Sequence, residues 1–201
     1  MVCRGMMSIV GKQPQLVARK NFFNFIHQWF KIMDPQGNVL LYTKMRAFKL
    51  KEDIRVLGPD KQTELISLRA RQVLDFGATY DVTDSVTSEK VGSLRRRAMK
   101  SLIKDEWQIL DTNDQEVGVI TEDSSGLAIL RRLIGGLTSL LAPQEHNGFI
   151  GKQHVLNFRQ TRNPFITKTF LNFSMDTGGS LDRRMGLAAA ILFCAIEGKQ
   201  N

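Results

Sequence analysis

Residues 180–198 read S-L-D-R-R-M-G-L-A-A-A-I-L-F-C-A-I-E-G, and they predict a helix that must be buried. Positions 185–196 form an unbroken apolar run, rich in the strong helix formers Ala and Leu. Ser180 is a candidate N-cap, Asp182 would lie in the first turn, and Gly198 can end the helix. A helix that is apolar on every face has no side for water, and this run is shorter than the roughly 20 residues that cross a bilayer. The rest of the chain therefore has to enclose it.

The composition is that of a globular domain with a surplus of positive charge. The chain has 201 residues, of which 42% are hydrophobic and 24% are charged, so we expect a single domain with a large core. The net charge of +8 indicates an anionic partner (nucleic acid, anionic lipid or a phosphorylated ligand) unless the charge is only surface decoration. The two cysteines, Cys3 and Cys194, argue against a disulfide framework. Because the sequence shows neither a signal peptide nor a transmembrane segment, we expect a cytoplasmic protein, free or peripheral on a membrane.

One short pattern recurs four times upstream of the helix. Large apolar, polar and β-branched residues alternate and then run into a turn, with anchors at positions 34, 58, 84 and 111. The anchors are 24, 26 and 27 residues apart, and each turn is followed by another short alternating segment. Period-2 alternation with turns at this spacing predicts four tandem β-hairpins.

The remaining stretches complete the domain. Residues 1–20 show no clear period and are predicted to be a loose arm before a single domain at 21–198. Residues 126–142 place Leu and Ile at helical spacing and predict an inserted amphipathic helix, which either plugs one end of the fold or dips into a lipid interface. Strands are predicted to resume at 148–158 and 166–175, separated by a polar turn that contains proline.

Ten to twelve strands followed by one enclosed helix predict a mainly β protein. A closed antiparallel β-barrel of about 12 strands, built from tandem hairpins around the central helix at 180–198, meets both requirements because closure also removes the sheet edges. The lengths agree. About 17 helical residues at 1.5 Å each span roughly 26 Å, and about eight strand residues at 3.3 Å each span roughly the same distance.

Three segments carry a family resemblance. They read V-G-S-L-R-R-R-A-M-K-S-L-I-K-D-E-W-Q-I-L-D at 91–111, Q-E-V-G-V-I-T-E-D at 115–123 and L-D-R-R-M-G-L-A-A-A-I-L-F-C-A-I-E at 181–197. Together they resemble the tubby C-terminal-like superfamily, nearest to the LURP-one-related proteins and their bacterial relatives, with the phospholipid scramblases as cousins. The resemblance covers roughly residues 22–198.

The resemblance implies a twelve-stranded antiparallel barrel around the terminal helix. For function, it implies binding of phosphoinositide headgroups through basic residues on the barrel surface, as in the tubby branch, or a place at membranes, as for the scramblases. No calcium-binding segment and no phosphoinositide motif matches residue by residue, so the resemblance assigns no site residue in this sequence.

The sequence contains no motif for catalysis or metal binding. It has no G-x-S-x-G, P-loop, G-x-G-x-x-G or H-E-x-x-H, and its three histidines are scattered without any C-x-x-C. Residues 111–118 resemble the start of an EF-hand loop but lack its glycine at position six, so they predict a turn. We therefore expect a non-enzymatic protein without a metal or another cofactor.

The strongest candidate site is a run of cations on one predicted hairpin. Its five members fall within ten residues and are Arg95, Arg96, Arg97, Lys100 and Lys104. Strand alternation puts Arg95 and Arg97 on one face and Arg96 on the other, unless a bulge intervenes. The planar guanidinium suits phosphate, so these residues either bind a phosphate or lipid headgroup or form solvated decoration of the barrel.

Two further arginine pairs are candidates. Arg131 and Arg132 on the predicted 126–142 helix offer a possible second surface for the same ligand. Arg183 and Arg184 open the terminal helix and are predicted to lie at the barrel mouth, paired with acids such as Asp182 or Glu197.

These observations predict a non-enzymatic binding domain that contacts an anionic ligand, such as a phosphoinositide, or a membrane surface. The alternative is a protein- or nucleic-acid-binding scaffold with no lipid role. Of these two partners, nucleic acid is the less favoured, but the sequence does not exclude it.

Overall fold

The structure is a computed structural model of the 201-residue chain. It describes residues 11–21, 27–46, 53–72, 77–97, 106–122, 144–162 and 166–196. This part of the chain forms twelve strands and the C-terminal helix. In chain order they are β1 (Gln15–Asn21), β2 (His27–Met33), β3 (Val39–Arg46), β4 (Asp53–Leu57), β5 (Glu64–Ala70), β6 (Thr79–Asp84), β7 (Glu89–Arg97), β8 (Glu106–Leu110), β9 (Glu116–Glu122), β10 (Gln144–Ile150), β11 (Gln153–Arg162), β12 (Ile166–Asn172) and α1 (Arg183–Ile196).

The twelve strands close into one antiparallel barrel. Each strand pairs with its neighbours in the chain, and β1 also pairs with β12, from Gln15 opposite Asn172 to Asn21 opposite Ile166. Inward-facing residues of the strands and the side chains of α1 form a single hydrophobic core. The predicted mainly β fold, a closed barrel of about 12 strands around the C-terminal helix, is confirmed.

The predicted hairpin turns all lie at one end of the barrel, which is also where α1 begins. Asp34, Asp84 and Asp111 each accept backbone amide hydrogens of the turn that follows, at 2.8–3.2 Å. In the turn that begins at Gly58, Asp60 takes this role. A short carboxylate that caps its own turn explains why an acidic residue recurs where these strands end.

Helix α1 is enclosed on all sides. Ala188, Ala190 and Ile191 have no exposed surface, and every described residue from 185 to 195 is buried. Gly186 allows α1 to pack closely against Phe173, because a Cβ atom at this position would lie 2.4 Å from the Phe173 ring. Among the described residues, no helix is long and apolar enough to cross a membrane.

The predicted N-cap of this helix is wrong by two residues. Asp182 is the cap, because its Oδ1 accepts the Arg184 amide hydrogen at 2.9 Å and its carbonyl accepts the Gly186 amide hydrogen at 3.3 Å. The Ser180 amide instead donates to the Oδ1 atom of Asp176 at 2.8 Å. Asp176 folds the preceding loop into a turn, and this delays the start of the helix. The predicted end at Gly198 lies outside the described residues.

The predicted boundary between arm and domain is also wrong. Residues 15–20, assigned to the loose arm, belong to β1 and complete the barrel. Leu16 and Ala18 point into the core, so the first strand does follow the period-2 pattern, although over a segment too short to stand out.

Near the C-terminus, the strand predicted at 148–158 is two strands. Residues 151–152 form the turn between β10 and β11, where Gly151 adopts a positive φ of 55°. β11 then continues to Arg162, through residues that were predicted to begin a turn. The amphipathic helix predicted at 126–142 lies outside the described residues.

Candidate functional site

The structure separates the predicted cluster of cations. Arg95, Arg96 and Arg97 lie on β7 without a bulge between them, so the predicted alternation is confirmed. Arg96 pairs with Trp107 of β8 and has the inward parity of the buried Leu94, whereas its two neighbours face outward. Lys100 and Lys104 lie outside the described residues, and so do Arg131 and Arg132.

The two outward arginines already have partners. The Nε of Arg95 donates a hydrogen bond to the hydroxyl of Thr79 at 3.3 Å. Arg97 forms a salt bridge with Glu106 on β8, and hydrogen bonding to that carboxylate raises the pKa of Arg97. The described part of this hairpin therefore presents less unneutralised charge than its sequence indicates.

The neighbouring surface of β6 and β7 holds a closed ionic network. Arg71 contacts Asp81 at 2.7 Å and Asp114 at 2.6 Å, and Lys90 contacts Asp114 at 2.7 Å. Hydrogen bonds from Arg71 and then Lys90 hold the pKa of Asp114 far below its usual value, and the same carboxylates raise the pKa of Arg71. Two bases face two acids, so this network stabilises the wall and leaves no surplus charge for a ligand.

The barrel mouth is similarly neutralised. Arg184 contacts Asp84 at 2.7 Å and Asp182 at 2.6 Å, which confirms the predicted pairing with Asp182. The Arg183 guanidinium lies 4.3 Å from the centre of the Phe173 ring. Both arginines line an open cleft of about 560 Å³ together with Asp84, Asp176 and Asp182. Glu197, the other predicted partner, lies outside the described residues.

His146 and His154 pack against aromatic rings. The His146 ring is buried with its centre 4.5 Å from that of Phe193 on α1, and the His154 ring stacks on Phe149 at 5.0 Å. Within the described ranges, no three His, Cys, Asp or Glu side chains are grouped so that they could hold a metal ion.

Positive charge is concentrated on the other side of the barrel. Strands β11, β12, β1, β2 and β3 are consecutive around the wall because β12 pairs with β1. Their sequences hold eight basic residues and no acidic one. The eight are Arg159, Arg162, Lys168, Arg19, Lys20, Lys31, Lys44 and Arg46. Strands β4 to β9 hold six basic and eight acidic residues. This surplus on five strands equals the net charge of the whole chain.

Three of these cations form one row across three strands. Arg19 of β1 lies opposite Lys168 of β12 and opposite Lys31 of β2, and we call these residues the basic row. They face outward, because Ala18, which alternates with Arg19, points into the core. In the part of the chain that the structure describes, no member forms a salt bridge, and the buried Nε of Arg19 has no hydrogen-bond acceptor. Directly opposed like charges on adjacent strands repel each other.

A row of apolar residues runs beside the basic row, two residues along each strand. Val17 lies opposite Phe170 and opposite Met33, and these three residues are the apolar row. Phe170 is 41% exposed, which is unusual for a phenylalanine in a barrel wall. Arg159 of β11 lies opposite Phe170 and adds a fourth cation beside the two rows. Charge and exposed apolar surface therefore meet on one face.

This face is not visible in the order of residues for two reasons. Its residues come from strands at opposite ends of the chain, and β1 falls within the stretch predicted to be a loose arm. The alternation of Leu16, Val17, Ala18 and Arg19 is the local signal for an amphipathic strand. Nothing in that segment shows that its neighbour will be β12.

Fold and site together define a class: a helix-filled, twelve-stranded antiparallel barrel with a basic face at the junction of its first and last strands. No protein-family model matches the chain, and a search of curated proteins finds no match.

Proposed function

We propose that this protein is a non-enzymatic binding domain whose basic face contacts an anionic phospholipid headgroup, such as a phosphoinositide, or an anionic membrane surface. The observation that carries the proposal is the basic row of Arg19, Lys31 and Lys168. It places three like charges side by side on adjacent strands, and none of them has an acidic partner among the described residues. An arrangement that is unfavourable in the free protein becomes favourable when an anion lies across it.

The basic row supports this function better than the predicted 95–104 hairpin. Of the two outward-facing arginines described there, Arg97 is neutralised by Glu106, and Arg95 hydrogen bonds to Thr79. The basic row has no such partners in the described residues. A Lys or Arg near an anionic bilayer contributes about 1 kcal/mol, so the row together with Arg159 would supply about 4 kcal/mol, or roughly a thousandfold in affinity.

The filled interior supports a non-enzymatic role, because the space that could enclose a substrate is occupied by α1. Membership of the tubby C-terminal-like superfamily belongs to the same proposal. Its support is the residue pattern of 91–123 and 181–197, together with a fold of the kind that this resemblance implies.

Vesicle flotation tests the function. We expect the full-length chain to bind vesicles of phosphatidylcholine with phosphatidylserine or a phosphoinositide, to ignore pure phosphatidylcholine, and to dissociate at high salt. The Lys31→Glu/Lys168→Glu variant should lose roughly a hundredfold or more in affinity.

The matched control is Arg95→Glu/Lys152→Glu, which makes the same change in net charge outside the basic row. Equal loss in both variants would indicate that only net charge matters. A loss of vesicle affinity in the control variant only would favour a site on the β7 hairpin over the basic row. Equal binding to anionic and neutral vesicles, or none, would contradict the proposal, and retention on DNA or heparin without vesicle binding would favour the scaffold alternative.

A further inference from the structure

The apolar row lies beside the basic row and restricts the kind of ligand that can cover both. Phe170, Val17 and Met33 follow one another across β12, β1 and β2, at about 7 Å along the strands from the basic row. Phe170 is exposed, and Val17 and Met33 are partly exposed. A phosphate bound at the basic row would leave these three side chains in water.

A bilayer surface satisfies both rows at once. Its headgroup region is anionic and takes up Lys and Arg, and the adjacent acyl boundary takes up apolar and aromatic side chains. Arg159, opposite Phe170, places a fourth cation at the edge of the apolar row. A soluble phosphorylated ligand would use only the cations. A nucleic acid would also stack a base on Phe170, but it would leave Val17 and Met33 without an apolar partner.

The geometry points to side-on docking of the barrel on an anionic bilayer, in which the β12–β1–β2 wall faces the membrane and Phe170 inserts at the headgroup–acyl boundary beside the basic row. This inference rests on the proposed function and adds to it the membrane as ligand, the orientation and the inserting residue. The contact is the wall of the barrel, not its mouth or its hairpin turns.

Two other exposed apolar residues provide internal controls. Val86 is 44% exposed and Val117 is 39% exposed, close to the value for Phe170. Val86 lies in the turn between Asp84 and Glu89, and Val117 directly follows Glu116, so acidic residues are their neighbours in the chain. Side-on docking on β12, β1 and β2 predicts that both stay in water.

Site-specific fluorescence tests the orientation. A single cysteine is introduced at position 170, 117 or 86 in a Cys3→Ser background and labelled with an environment-sensitive nitrobenzoxadiazole dye. Cys194 is 1% exposed, and the background protein, carried through the same labelling, measures any dye that reaches it. We expect phosphatidylcholine–phosphatidylserine vesicles to shift the emission to the blue and increase it at position 170, and to leave positions 117 and 86 unchanged.

A second pair of variants tests the role of the ring. Phe170→Ser should weaken binding to the same vesicles about tenfold, and Phe170→Trp should retain it. Brominated phospholipids should quench the fluorescence that the introduced indole adds to that of the parent protein. Both changes are at an exposed position, and an unchanged thermal midpoint would show that the barrel is intact.

The outcomes separate this inference from the proposed function. Binding to anionic vesicles without a change at position 170, or with equal changes at all three positions, would overturn the inserted Phe170 and leave the anion site intact. Binding of inositol hexakisphosphate without any vesicle binding would overturn membrane docking together with the lipid role in the proposed function, and would leave only the anion site. No binding to either probe would overturn the anion site as well.

Discussion

Arg19 on β1 lies directly opposite Lys168 on β12, although the two residues are 149 positions apart in the chain. Lys31 completes the row on the other side of Arg19. Like charges at opposed positions of a sheet destabilise it, so the folded protein maintains an unfavourable contact on its outer wall. The proposed anion site would account for this contact, since stability and binding would then make opposite demands on the same residues.

The first prediction concerns this conflict. Lys168→Glu should replace a repulsion with a salt bridge to Arg19 and raise the free energy of unfolding by about 0.5–1 kcal/mol at low salt. The same variant should bind anionic vesicles more weakly. Urea unfolding and flotation measure the two effects. Lys152→Glu, with the same change in charge at an exposed turn, is the control, and lower stability of Lys168→Glu than of this control would contradict a repulsive contact.

The second prediction concerns the start of α1. Asp182→Ala should lower the free energy of unfolding by about 0.5–2 kcal/mol, because the N-cap and a contact to Arg184 are both lost. Ser180→Ala should change it by less than about 0.5 kcal/mol, since Ser180 lies before the cap. Thermal or urea unfolding of the two variants measures the difference, and the reverse order would place the cap at Ser180.

The third prediction concerns pH. Hydrogen bonds from Arg71 and Lys90 hold the pKa of Asp114 far below its usual value of 3.8, which the unfolded chain regains. The folded protein therefore binds fewer protons, so this stabilisation is fully present above the unfolded pKa and is lost as the pH falls through the folded one. Asp114→Asn should make the unfolding free energy depend less steeply on pH between about pH 5 and pH 2. Urea titrations across this range measure the slope, and a slope equal to that of the wild type would show that the ionic network does not form.

The fourth prediction concerns the core. Ala189 is 2% exposed on a helix enclosed by the barrel, so Ala189→Asp should prevent folding because it buries an unpaired charge. The milder Gly186→Ala should remain folded but lose about 1–3 kcal/mol, since its methyl group would overlap the ring of Phe173. Circular dichroism and urea unfolding distinguish these effects. A folded Ala189→Asp protein that merely fails to bind membranes would mean that α1 is an anchor and not a core helix.

Local chemistry made much of the fold predictable. The apolar run at 185–196 could only be buried, and the alternation around Asp34, Asp84 and Asp111 identified hairpins whose turns these carboxylates cap. These signals act within one element, so they are visible in the order of residues. The position of the N-cap is not determined locally, because Ser180 and Asp182 are both good caps and the choice depends on how Asp176 folds the loop before them.

The order of residues was enough to predict that a barrel encloses the terminal helix and that the surplus charge is positive. The position of that charge depends on the tertiary structure. Closure of β1 on β12 joins strands from the two ends of the chain into five consecutive strands without an acidic residue, whereas the conspicuous run at 95–97 is split by strand alternation and partly neutralised by Glu106. The physical reason is that neighbours across a sheet are set by strand pairing. The sequence determines the charge of each residue, but the tertiary structure determines which other charges lie next to that residue.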